Sequence, residues 1–131
     1  MEVKQSKAGF KIIILSLARN LEATLNNISQ LDANDIKSRT EIAFFLYFAG
    51  KLRDKFIAPA YSVWLYEDDF FDGKVTLMDE FLDLYGTIKV MILDSARLYN
   101  FVNGVWRLDD SVLDSLKEDV EWIKAYAEEK L

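Results

Sequence analysis

The chain has 131 residues, 51% of them hydrophobic and 14% aromatic, which suffices for one folded domain spanning 1–131 with a sizeable core. It contains neither cysteine nor histidine, which removes disulfides, thiolate metal sites, Ser-His-Asp triads, zincin motifs and the Glu-x-x-His ligand pairs of di-iron bundles. The net charge of −6 is unevenly spread, +3 over residues 1–58 and −9 over residues 59–131; an acidic total argues against binding nucleic-acid phosphates directly and fits a basic protein partner.

The first residues are polar and carry Lys4, Lys7 and Lys11, and the apolar run 12–15 is too short for a signal peptide. The longest uncharged stretches, 42–50 and 57–66, are about half the ~20 residues that a membrane span needs. A soluble, cytoplasmic protein without membrane contact is expected.

Phe10, Ile14, Leu17, Leu21, Leu25, Ile28 and Leu31 recur at three- and four-residue steps and predict a first helix. Arg19, Glu22, Asn26 and Ser29 lie opposite, and Ile12 and Leu15 add apolar surface towards that polar side. The short polar side chains of 32–35 end this helix and cap the next, where Ser38 and Glu41 have the spacing of a capping box. The second helix carries Ile42, Phe45, Ala49, Leu52 and Phe56 on one face. Phe44, Leu46, Tyr47 and Phe48 spread apolar surface around it, which predicts burial on several sides. Pro59 lacks an amide hydrogen and disfavours helix at Ala58, so the helix stops or kinks there. Residues 60–66 then read as a short helical continuation, and 67–73 as the main loop.

Residues 75–102 have helical periodicity through Leu77, Phe81, Leu84, Ile88, Met91, Leu98 and Val102. This predicts a third helix roughly 40 Å long, apolar over most of its circumference and therefore covered from more than one direction. Gly86 within it suggests a bend or a close helix contact. Asn103-Gly104 ends the helix in this reading, and Asp109 and Asp110 cap a last helix. Its seam is Leu113, Leu116, Val120, Ile123 and Ala127, flanked by Trp122 and Tyr126. The expected fold is all-α, an antiparallel up-down four-helix bundle with an extra short helix after Pro59.

The strongest local anomaly is acidic. Glu67, Asp68, Asp69, Asp72, Asp79, Glu80 and Asp83 stand against one lysine, Lys74, and surround Phe70 and Phe71. Charge runs commonly solvate a surface, and Asp79 and Glu80 favour the start of a helix through its dipole. Apolar anchors ringed by carboxylates also suit an electropositive partner with a hydrophobic pocket. These nine residues are therefore the expected partner-binding set.

No metal is expected. A calcium loop over 68–79 would place Phe70 at a ligand position and end on Asp79 where a bidentate glutamate belongs. Nothing in the spacing selects Glu41 and Asp94 as an acid–base pair. Arg97 with Asn100 and Asn103 lacks the histidine that a ribonuclease site commonly uses. The aromatics Tyr47, Phe48, Tyr61, Trp64, Tyr66, Tyr85 and Tyr99 have the spacing of core residues rather than of a ligand pocket, and the five glycines form no phosphate loop. Neither catalytic residues nor a cofactor are expected.

The function that fits is a small acidic non-enzymatic interaction protein, an inhibitor or immunity-type protein that binds and occludes a basic, nucleic-acid-processing partner. The alternatives are a structural homodimer or assembly subunit paired through Ile12, Leu15, Phe44 and Tyr47, and a small-ligand-binding helical bundle.

Overall fold

The computed structural model describes residues 7–57 and 75–130. Within them the order is α1 (Lys7–Gln30), α2 (Ile36–Ile57), α3 (Val75–Ser95), β1 (Tyr99–Val102), β2 (Val105–Leu108) and α4 (Asp110–Lys130). The protein is mostly helical, with one small two-stranded antiparallel sheet. The extra short helix expected at 60–66 and the loop at 67–73 lie outside the described residues.

The helices close a ring in which α1 packs against α2 and α4, and α3 packs against the same two. The shared core takes Ile14, Leu21, Leu25 and Ile28 from α1, and Phe45, Ala49 and Leu52 from α2. Leu84, Ile88 and Met91 come from α3, and Leu113, Leu116, Val120, Ile123 and Ala127 from α4. These are positions at the three- and four-residue steps of the sequence, and each large side chain among them contributes about 1.5–3 kcal/mol on leaving water.

The helix ends follow local chemistry. Asp32 Oδ1 accepts from the Asn34 amide at 2.8 Å and turns the chain after α1. Asp35 Oδ1 accepts from the Lys37 amide at 2.9 Å and caps α2. Ser38 therefore is not the cap that its spacing with Glu41 suggests. It lies one turn inside α2, fully buried, with its hydroxyl against the Tyr99 hydroxyl. Asp109 caps α4 as expected, its Oδ1 accepting from the amides of Ser111 at 3.1 Å and Val112 at 3.3 Å. α2 is described as far as Ile57, and the stop or kink expected at Pro59 lies outside the described residues.

Three expectations are corrected. The third helix stops at Ser95, and residues 99–108 form a β-hairpin instead of its last turns. Asn103 and Gly104 have φ of 55° and 78°, the two left-handed positions of a type I′ hairpin turn and not a helix terminus. Gly86 is not a point of close contact: a β-carbon added there would meet nothing within 4 Å. Finally, the middle of α2 is buried on one side only. Phe45 and Ala49 face the core, whereas Phe44, Leu46 and Tyr47 are exposed, as are Val90 and Leu93 on α3.

The hairpin is fastened through the Tyr99 side chain and along its β2 edge. The Tyr99 hydroxyl donates to the Ser38 carbonyl at 3.1 Å. On the far edge, Asn34 accepts from the Trp106 amide at 2.9 Å and donates to the Trp106 carbonyl at 3.3 Å. The Arg39 guanidinium lies 4.7 Å from the centre of the Trp106 ring, within the range of a cation–π contact.

Candidate interaction surface

Of the nine residues expected to bind a partner, Glu67, Asp68, Asp69, Phe70, Phe71 and Asp72 lie outside the described residues. Asp79 and Glu80 belong to α3. Asp83, one turn further along the same helix, is exposed. Glu41 and Asp94 are not brought together as an acid–base pair: Glu41 accepts from Asn27 Nδ2 at 3.4 Å, and Asp94 pairs with Arg97 three residues later. Among the described residues no group of three or more Asp or Glu side chains gathers as a metal site.

A second acidic surface stands on α4. Because helical positions three and four apart share a face, burying Leu113, Leu116, Val120 and Ile123 turns Asp114, Glu118, Glu121, Glu128 and Glu129 outwards. Trp122 stands on that outer face with 42% of its surface exposed, and its ring lies 5.7 Å from that of Tyr126, tilted by 30°. Glu118 and Asp119 are its neighbours one turn back. The Asp119 carboxyl is pushed above the ordinary carboxylate range, first by burial and then by the negative charges of Asp94 and Glu118. The sequence pattern contains this surface, since 114, 118, 121, 122, 125 and 129 follow a helical stripe. Placing Trp122 beside the seam hid its outward half.

Beside this face, Glu22, Leu25, Asn26, Lys117, Val120 and Glu121 line a cleft of about 340 Å³ between α1 and α4. Lys124 joins the two helices, its Nζ 2.8 Å from Glu22 and 3.5 Å from Glu121. The hydrogen bond from Lys124 holds the Glu22 carboxyl below its ordinary range, and the same bond raises Lys124.

An apolar groove of about 420 Å³ lies between α1 and α2, lined by Ile12, Ile13, Ser16, Leu17, Tyr47, Phe48, Lys51 and Lys55. Ile12 is 67%, Phe44 51% and Tyr47 58% exposed. Leu15, expected to join them, instead packs against the core. Lys51 Nζ sits 5.5 Å from the centre of the Tyr47 ring, so the groove carries positive charge where α4 carries negative.

No protein-family model matches this chain, and no curated protein or solved structure shows significant similarity to it. Among the described residues, no helix is long and apolar enough to cross a membrane.

Proposed function

We propose that this chain is a non-enzymatic interaction protein, an acidic single-domain helical bundle of the cytoplasm that binds a basic protein and covers the surface with which that protein works. The up-down order of the helices belongs to the same reading. It is supported by Asn27 lying against Glu41, Lys11 against the Glu128 carbonyl, Glu22 against Lys124, and Ser38 against Tyr99.

The observation that carries the proposal is the exposed Trp122 among Glu118, Asp119 and Glu121. An arginine or lysine of the partner can lie on the indole face while its charge meets these carboxylates, combining a cation–π contact with an aromatic anchor of the kind that dominates interfaces. The acidic stretch 67–72, with Phe70 and Phe71, has the same chemistry in the sequence. Negative charge on this half of the chain speeds encounter with a basic partner and occupies sites that otherwise take phosphates.

The test is affinity capture from the native cells at low salt, followed by elution with rising salt. One basic protein held in stoichiometric amount is expected. It should be lost when Trp122→Ala is combined with Glu118→Lys, or when Asp68→Lys is combined with Asp69→Lys. Retention of the same protein by both double variants would sink the proposal.

The exposed set Ile12, Phe44 and Tyr47 beside the α1/α2 groove favours a second reading, a structural homodimer or assembly subunit. In that case Tyr47→Glu abolishes self-association, whereas the α4 variants leave it intact.

A further inference from the structure

The two edges of the hairpin are treated differently by the fold. Its two-residue loop makes Val102 and Val105 a hydrogen-bonded pair. In an antiparallel ladder such pairs alternate with non-hydrogen-bonded ones, so Asn100 and Arg107 also bond. The bond from the Asp109 amide to the Leu98 carbonyl at 2.8 Å continues the series. Tyr99, Phe101, Trp106 and Leu108 therefore direct their backbone N–H and C=O groups away from the partner strand. On the β2 side the Asn34 amide satisfies both groups of Trp106, acting as one rung of a third strand. On the β1 side, the N–H and C=O of Tyr99 and Phe101 have no hydrogen-bond partner among the described residues. Phe101 and Val102 are also 60% and 47% exposed there.

A strand edge without partners among the described residues is a template for another strand, and this one is complementary to itself. We propose that β1 pairs with β1 of a second copy across a two-fold axis at Asn100, joining two hairpins into a four-stranded antiparallel sheet. In that register Tyr99 of each chain faces Phe101 of the other, and the two residues exchange both backbone hydrogen bonds. Two such exchanges use all four outward groups of each edge. Asn100 faces its own copy in a non-hydrogen-bonded pair, where side chains approach most closely. It is exposed and uncharged, so nothing at the axis repels. A second copy is the occupant that fits, because one register matches every donor of the short edge with an acceptor of an identical edge. The surface involved is separate from α4 and from the α1/α2 groove, so the inference stands independently of the proposed function.

Sedimentation of the full chain tests this up to about 1 mM, since an interface of this size associates weakly. The average mass is expected to rise with concentration from 15.2 kDa towards twice that value. Asn100→Lys sets two lysines face to face between the two Arg107 side chains and holds the mass at that of the single chain. Mixing N100K with N100D in equal amounts places lysine opposite aspartate and restores association. Phe101→Pro removes one outward donor at an edge position that tolerates proline, and it too is expected to sediment as a monomer. Circular dichroism and thermal melting of each variant establish that the fold is intact. The proposal is overturned if the wild-type chain stays monomeric at the highest concentration, if N100K and F101P associate as the wild type does, or if the N100K/N100D mixture fails to recover.

Discussion

Ser38 and Tyr99 show how single side chains place a secondary element. Ser38 has no exposed surface, and its hydroxyl meets the Tyr99 hydroxyl while its carbonyl accepts a second bond from the same group. Burial raises the Tyr99 phenol above its ordinary pKa, against the lowering effect of the Ser38 bond, so the neutral donor persists at physiological pH. Tyr99→Phe removes one partner and leaves a buried serine hydroxyl without another. The expected loss is about 1–3 kcal/mol by urea unfolding. Adding Ser38→Ala to that variant is expected to recover part of it, because the orphaned group is then gone. Thr24 and Ser95 do not carry this risk, since each buried hydroxyl donates to a carbonyl of its own helix.

At the level of elements, α1, α2 and α4 follow the apolar periodicity closely because each buries one stripe, and a stripe is what three- and four-residue spacing encodes. The hairpin was harder to read. Leu98 and Val102 continue the period of Leu84, Ile88 and Met91, so a helix through 102 satisfies the pattern. Yet Leu98 is buried from a turn, and Val102 is exposed on a strand. The competing signal is Asn103-Gly104 between aromatic and β-branched residues, which is a strong local mark of a two-residue hairpin. Exposure of Phe44 and Tyr47 was illegible for another reason: composition shows surplus apolar surface but not which side of α2 a neighbour covers. The α4 face was readable once its seam was set, whereas the acidic 67–72 stretch could be read only as charge.

Gly86 is the one glycine of α3. α3 runs through it without interruption, and an added methyl group meets no neighbour. Gly86→Ala should therefore stabilise the protein by about 1 kcal/mol, the difference in helix propensity, measurable as a higher urea midpoint with an unchanged slope.

At the scale of the whole molecule, Asp109 and Glu22 behave oppositely to Asp119 as pH changes. The Ser111 side chain and the Val112 amide hold Asp109 below its ordinary range, and Lys124 does the same for Glu22. Their stabilisation is fully present above the unfolded-state pKa of about 4 and is lost as pH falls through the lower folded values. Asp119 is held above its ordinary range. Its ionised form weakens the fold at neutral pH, and protonation relieves that as pH falls. Melting temperature followed from about pH 7 to pH 2 is thus expected to rise slightly and then drop. Asp119→Asn should raise stability at neutral pH and abolish the initial rise while leaving the later drop.

The Asn34 clamp and the hairpin turn also differ in how far along the chain they reach. The clamp joins residues 72 positions apart, whereas the hairpin itself closes locally around Asn103 and Gly104. Hairpins form in about 1–10 μs, while contacts between distant positions wait on the chain entropy of a long loop. The Arg107 amide is held by Asn100 once the strands close, but the Trp106 amide gains its partner only when the turn between α1 and α2 arrives. Two neighbouring amides therefore depend on different contacts, one on the hairpin alone and the other on its docking against the helices.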